Sequence, residues 1–178
     1  MTGHERITAA LNGKNVDTIP IMLHNFMPIA KEAGLSMHQY RENPKEIARA
    51  FIQSVETYRY DGVLVDIDTV TLAGACGVQV DFPENDPARS HMGNLLSYDD
   101  LPKLKISDLS NYRYAANWLE ATRLIKEHFG NEIFVRGNCD QAPFSLASMI
   151  RGTENWMLDF YMSEEKLIRE LLDYCTEV

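Results

Sequence analysis

Two aspartates end the most informative stretch of the sequence, YDGVLVDID at residues 60–68. Asp66 and Asp68 are two positions apart, so on a strand both fall on one face, together with Leu64. Two carboxylates buried on one face are unfavourable unless a cation or a raised pKa compensates for them. The pair therefore predicts a functional site. The alternative is a strand that frays into a polar loop.

The apolar run before these acids predicts the element that positions them. A segment that is apolar on both faces is typical of a buried strand in a parallel sheet. The carboxyl ends of such strands carry the chemistry in open α/β sheets and in barrels. We expect Arg136, on the next long strand, to pair with Asp66 and to leave Asp68 available for chemistry.

Other polar residues follow the remaining predicted strands. His24 and Asn25 end the first strand, and Asn138 and Asp140 follow the third. All four, together with Asp66 and Arg136, are candidates for binding a substrate. A residue at a strand end could also be an ordinary polar residue, and Asp66 could instead belong to a structural ion pair. Cys139, between the last two, is expected to face the other way and to pack in the core.

Alternating strand and helix patterns place these residues in an α/β fold. We predict three parallel strands adjacent in chain order, with helices on one side. The predicted strands are 18–24, 63–67 and 132–136, with a hairpin strand at 78–82 and an excursion at 83–110. The predicted helices are 2–11, 27–33, 36–40, 44–58, 69–76, 111–129, 142–150, 156–161 and 163–176, with Ser163 near the start of the last. A closed (β/α)₈ barrel needs about 250 residues, so the chain is a small α/β domain or part of a barrel.

Composition limits the class of protein. The 178 residues are enough for one domain with a core. A formal net charge of −9 argues against nucleic acid and anionic membrane surfaces as partners. No segment has the pattern of a signal peptide or a transmembrane helix. The three cysteines are far apart and form no CxxC motif, which favours a reducing cytoplasm.

Three segments resemble the uroporphyrinogen decarboxylase superfamily. They are VDTIP (16–20), NPKEIARAFIQSVETYRYDGVLVDIDTVTLAGACGVQVDF (43–82) and GNCDQAPFSLASMIRG (137–152). The superfamily also contains methyltransferases that move a methyl group from a corrinoid protein to a thiol or folate. The resemblance implies a TIM-like barrel, of which residues 1–178, taken as a single domain, correspond to the N-terminal half. It also implies that Asp68 is the central catalytic aspartate, and it places Phe144 and Ser145 in a substrate-binding motif.

Departures from the decarboxylase pattern favour the methyltransferase branch. The decarboxylases have an MRQAGR-like segment after strand 1, whose arginines hold the substrate carboxylates, whereas this chain has HNFMP at 24–28. They also have a tyrosine where this chain has Met149. Without these arginines a porphyrinogen would lose its charge-assisted partners. We therefore favour corrinoid-dependent methyl transfer over porphyrinogen decarboxylation. A third alternative is a non-catalytic half-barrel that binds a ligand or a partner.

The resemblance also suggests what the chain would need from elsewhere. The thiol-accepting methyltransferases bind zinc through cysteine and histidine residues in their C-terminal half. We expect no complete metal site in this chain, and a corrinoid carried by a partner protein. A small-molecule substrate is also expected, with self-association or association with the other half of the barrel. Whether the 178 residues are active alone stays open.

Overall fold

A computed structural model describes residues 1–24, 26–66, 68–105, 108–138 and 142–178. Its strands are β1 (Met22–Leu23), β2 (Gly62–Val65), β3 (Val80–Asp81), β4 (Arg89–Ser90) and β5 (Phe134–Gly137). Its helices are α1 (Gly3–Leu11), α2 (Phe26–Glu32), α3 (Met37–Glu42), α4 (Pro44–Tyr58), α5 (Thr71–Ala75), α6 (Arg113–Phe129), α7 (Pro143–Arg151), α8 (Thr153–Met162) and α9 (Glu165–Glu177). Two 3-10 segments, Tyr98–Lys103 and Leu109–Asn111, precede α6.

The chain divides into two compact units, which we describe separately. The first unit comprises residues 1–67, 84–86 and 116–138, and the second comprises 68–83, 87–115 and 139–178. No helix in the described part of the chain is long and apolar enough to cross a membrane.

A parallel sheet in the order β1-β2-β5 forms the centre of the first unit. The predicted orientation and order of the three long strands are confirmed. The first strand is shorter than predicted, because Pro20 has no N–H to donate and the N–H of Ile21 donates to Asp61 Oδ2 at 2.8 Å. Arg6 holds this aspartate by an ion pair. The carboxyl ends of β1 and β2 remain where the sequence placed them.

The helices of the first unit follow their sequence signals. Thr2 caps α1 in a reciprocal hydrogen-bonded pair with Glu5, and Asn43 caps α4, whose first residue is Pro44. The inner face of α4 buries Ile47, Phe51 and Val55. Tyr58, the last residue of α4, is 51% exposed, and its hydroxyl donates to Glu32 at 2.8 Å.

Helices α7, α8 and α9 build the core of the second unit. Its buried centre includes Leu146, Ile150, Trp156, Ile168 and Leu171. Strand β3 pairs with β4 in an antiparallel hairpin, as the alternation at 78–82 predicted.

Ser163, near the predicted start of the last helix, does not cap α9. The Ser163 hydroxyl donates to Asp159 Oδ1 at 2.9 Å instead of capping the helix that follows. Glu164 occupies the N-cap position and makes no side-chain capping bond.

Candidate active site

A histidine and a buried aspartate meet at the carboxyl ends of β1 and β2 in the first unit. His24 Nε2 lies 2.7 Å from Asp66 Oδ2. The His24 side chain is 53% exposed and the Asp66 side chain only 6%. Because a carboxylate accepts hydrogen bonds, we assign the proton to Nε2, which leaves Nδ1 as an acceptor. The pair therefore leaves one ring nitrogen that can accept a hydrogen bond.

Two side chains from distant helices hold the end of β2 in place. The Tyr40 hydroxyl donates to the backbone carbonyl of Asp66 at 2.8 Å. The Trp118 indole N–H donates to the carbonyl of Val65 at 2.8 Å. Both carbonyls lie where the strand ladder ends, so they need such partners when buried. Sequence reasoning missed both residues, since nothing in the local pattern of α3 or α6 marks them.

The prediction of an ion pair between Arg136 and Asp66 is wrong. In the parallel register Arg136 lies opposite Leu64. Arg136 is therefore on the same face of the sheet as Leu64, as predicted. Within the described ranges, however, no ion pair or hydrogen bond joins Arg136 to Asp66. Arg136 is exposed, so its guanidinium is solvated, and Asp66 instead contacts His24. A substrate-binding role for Arg136 stays a prediction.

Asp68 begins the second unit and is 2% exposed. Its Oδ1 accepts hydrogen bonds from the Val70 N–H and the Thr71 hydroxyl, each at 3.1 Å. These bonds form the turn that leads into α5, so Asp68 has a structural function besides any chemical one. Ile67 lies outside the described residues, and the prediction that Asp66 and Asp68 share a face stays a prediction.

An aromatic group that the sequence analysis missed is also in the second unit. Burial, with smaller contributions from Tyr114 and Asp68, raises the pKa of Tyr112 to about 12. The Tyr112 hydroxyl packs so closely on Gly74 that a Cβ there would lie 2.3 Å from it. Tyr114 stacks on Phe82 with 4.0 Å between ring centroids. The two tyrosines, on either side of Arg113, were a visible signal, but the sequence did not show that Tyr112 is buried.

Helix α7 contains most of the third segment that resembles the family, residues 137–152. Phe144 and Ser145 line a cavity of about 320 Å³ together with Thr69, Ser148, Met149 and Thr153. Phe144 is 50% exposed and lies 5.5 Å from Trp156, measured between ring centroids. Among the described residues, no side chain caps the start of α7, whose N-cap residue is Ala142. The cavity fits the predicted role of Phe144 and Ser145 in binding, although that role stays a prediction.

The remaining candidates divide into described and undescribed residues. Asn138 directly follows β5 and is half-buried. Asn25, Cys139 and Asp140 lie outside the described residues, so the predictions for them stay open. Among the described residues, no three histidine, cysteine or acidic side chains form a group that could hold a metal.

The other two cysteines, Cys76 and Cys175, are buried in the second unit. Burial raises the pKa of the Cys76 thiol. Burial, followed by the effect of Cys76, raises the pKa of Cys175 to about 12. Both are therefore protonated, poorly reactive thiols at neutral pH.

Comparison with known proteins identifies the family of this fold and site. The sequence profile of the family "Uroporphyrinogen decarboxylase (URO-D)" matches residues 2–178. The chain belongs to the uroporphyrinogen decarboxylase family, and the resemblance found in the sequence is confirmed. A search of curated proteins finds no match.

The solved structure of a "methyltransferase from Methanosarcina mazei" is similar to this chain, with a TM-score of 0.85 and 21% identity. The match covers 99% of this chain and 53% of that one. The chain thus spans about half the length of this neighbour. The predicted α/β, TIM-barrel-like fold is confirmed.

Proposed function

We propose that the protein catalyses methyl transfer between a methylcorrinoid, carried by a partner protein, and a thiol or folate acceptor. Membership of the uroporphyrinogen decarboxylase family supports an enzyme of this general kind. The name of the structural neighbour, a methyltransferase, supports this branch of the family.

The His24–Asp66 pair is the observation that carries the proposal. A porphyrinogen bears several carboxylates and needs arginines to bind them. At the end of β1 this chain has no arginine in segment 24–28, and a buried carboxylate supports the histidine there. That carboxylate would repel an anionic substrate. A thiol acceptor, by contrast, needs a group that removes its proton.

In this proposal His24 is the base and Asp66 is its support. The acceptor S–H bond breaks as its proton passes to His24 Nδ1, and a new S–CH₃ bond forms to the methyl group. The electron pair of the S–H bond stays on sulfur and forms the new bond. The methyl group would leave the methylcorrinoid substrate, which would retain the electron pair of its cobalt–carbon bond. Asp66 holds the ring orientation and stabilises the imidazolium that results. A positioned base of this kind contributes roughly 10²–10⁴-fold to the rate.

Asp68, which begins the second unit, is the residue that the family resemblance puts forward as catalytic. The burial of its carboxylate supports a functional environment. The described residues do not form a zinc site, and no step proposed for this chain involves zinc.

The test compares two histidines that each contact a carboxylate. His24→Gln is assayed in the protein as its gene encodes it, with methylcobalamin as donor and a simple thiol or tetrahydrofolate as acceptor. We expect turnover to fall roughly 10²-fold or more, followed through the cobalt absorption spectrum. His128→Gln is the matched control, because His128 contacts Glu56 at 3.3 Å on the surface of the same unit. It should leave turnover unchanged.

Decarboxylation of a porphyrinogen is the second candidate, favoured by the match of Asp68 to the central aspartate of the family. A decarboxylation assay run in parallel distinguishes the two. Rapid decarboxylation without corrinoid turnover would reverse the order of these proposals. No turnover in either assay by a folded full-length protein would favour a non-catalytic binding function.

A further inference from the structure

The first unit contains a cavity whose lining residues include neither His24 nor Asp66. Its volume is about 620 Å³, and it is lined by Met27, Pro28, Lys31, Leu35, Met37 and Asn85. Pockets that bind small molecules typically measure about 300–1,000 Å³ and combine apolar walls with a few polar groups. The cavity therefore has the size and composition of a ligand site.

Local structure builds its apolar walls. Met27 and Pro28 are in α2, which ends where Gly34 adopts a left-handed conformation with φ of +74°. This turn directs Leu35 back, so that its N–H donates to the carbonyl of Ala30 at 2.9 Å. Met37 opens α3 and is only 4% exposed. Four apolar side chains are thus held by backbone geometry and not by a flexible loop.

Hydrogen bonds to α3 fix the remaining wall. The His38 N–H donates to the carbonyl of Glu84 at 3.0 Å. Arg41 donates to the carbonyl of Asp86 at 2.8 Å. Asn85 lies between these two anchored residues and lines the cavity, where its side-chain amide can donate a hydrogen bond.

Lys31 provides the only cationic side chain among the described residues lining this cavity. Within the described ranges it makes no ion pair or hydrogen bond with another side chain. A lysine stem lies along apolar surface while its ammonium reaches water. One ammonium balances one negative charge, whereas a phosphate dianion would require further donors.

We propose that this cavity binds an apolar molecule that ends in a single carboxylate. The apolar part contacts Met27, Leu35 and Met37, and the carboxylate pairs with Lys31 and accepts a hydrogen bond from Asn85. None of the residues that line this cavity is assigned to methyl transfer, and the proposal does not depend on that assignment.

The test uses decanoate as the probe, well below the concentration at which it forms micelles. Proteins labelled with ¹³C-methyl methionine are titrated and followed by NMR, with Met27→Leu and Met37→Leu variants for assignment. We expect saturable shifts of the Met27 and Met37 methyl signals. Decyltrimethylammonium, with the same chain length and the opposite charge, should not produce them.

Charge reversal tests the role of Lys31. Lys31→Glu should weaken decanoate binding by roughly fivefold or more, since it replaces an attractive charge by a repulsive one. Lys14→Glu is the matched control, because Lys14 is an exposed lysine that follows α1. The Lys14→Glu variant should bind decanoate like the parent protein. Shifts confined to the exposed Met92, Met157 and Met162 would overturn the proposal. So would equal binding of the two probes, an unchanged affinity in Lys31→Glu, or no shift with millimolar decanoate.

Discussion

Burial differs sharply across the His24–Asp66 pair, and this difference determines its chemistry. The aspartate is shielded from water while the imidazole is half-exposed. A shielded carboxylate holds the ring more firmly than a solvated one, because solvent competes less with its hydrogen bond. The exposed edge of the ring remains open to a substrate. Surface histidine–carboxylate contacts elsewhere in the chain, such as His91 with Asp81, lack this asymmetry.

Asp68→Asn separates the chemical function of Asp68 from its structural one. Asparagine keeps a side-chain oxygen that can accept from Val70 and Thr71, so we expect the turn before α5 to persist. Turnover in the full-length protein should fall roughly a hundredfold or more, because the charge is lost. The measurement is kcat together with the thermal unfolding midpoint.

Cys139→Ser is the companion variant, and we expect it to cost far less turnover, since Cys139 is interpreted as a packing residue. Full activity of Asp68→Asn, with an unchanged unfolding midpoint, would remove Asp68 from the mechanism.

A buried ionic network in the second unit predicts how its stability depends on pH. Burial alone would raise the pKa of Asp159, but hydrogen bonds from Arg151, Ser163 and Tyr98 outweigh it and lower the pKa below its ordinary value. Arg151 Nε lies 2.7 Å from Asp159 Oδ2. A carboxyl whose pKa is lower in the folded state stabilises the fold at neutral pH, and this stabilisation is lost as pH falls through the acid range.

We therefore expect Asp159→Asn to lower the free energy of unfolding at pH 7 by about 2 kcal/mol. The difference from the parent should shrink when denaturant titrations are repeated near pH 3. Asp99→Asn, at an exposed position, is the control and should change little at either pH. A difference for Asp159→Asn that is equally large at both pH values would contradict the ionic account.

At the scale of elements, close contact of α1, β2 and β5 depends on one glycine. A Cβ at Gly62 would lie 2.6 Å from the carbonyl oxygen of Phe134 and 2.7 Å from Ile7 Cδ1. Gly62→Ala would therefore push β5 or α1 away, and we expect it to destabilise the protein by about 1–3 kcal/mol. Chemical denaturation measures the change.

Gly137→Ala, in the neighbouring strand, is the matched control. The nearest atom to a Cβ there is Thr122 Cγ2 at 3.9 Å, which is an ordinary contact. Equal destabilisation by the two variants would show that loss of glycine flexibility, and not the close approach at Gly62, is responsible.

Helix boundaries were easier to predict than strand boundaries, for a physical reason. Helix α4 begins and ends as predicted because Pro44 and the apolar period of the helix are local signals. The length of β1 depends on Asp61, which is distant in sequence and takes the N–H of Ile21. Strand limits are set by partners elsewhere in the chain, which a local pattern does not contain.

The same distinction applies to the site. Strand ends could be located from the sequence, so His24 and Asp66 were both candidates. Their mutual contact depends on the three-dimensional arrangement at the ends of β1 and β2, and the sequence analysis chose Arg136 instead. Tyr40 and Trp118 could not be found because they reach the end of β2 from helices far along the chain.

At the scale of the whole chain, the parallel sheet has two open edges, β1 and β5, among the described strands. Ile19 and Ile21 beside β1 are 83% and 58% exposed. Open edges and exposed apolar side chains favour association. We predict that residues 1–178 expressed alone form oligomers, swap elements or aggregate. Sedimentation and binding of a hydrophobic dye provide the measurements.

A stable, cooperatively unfolding monomer that binds no dye would contradict this prediction. The positive control is co-expression with the part of the barrel that is present in the structural neighbour but lies outside its match to this chain. It should suppress dye binding if that part covers the exposed side chains.

The positions of the two tryptophans have a spectroscopic consequence. Trp118 is in the first unit and Trp156 in the second. The Trp118 indole N–H donates to the carbonyl of Val65, whereas the fully buried Trp156 has Phe160 at 4.9 Å between ring centroids. Each unit thus contains its own intrinsic fluorophore in a distinct environment. Replacing either one by phenylalanine leaves an emission signal from a single unit, so the unfolding of the two units can be followed separately without an added label.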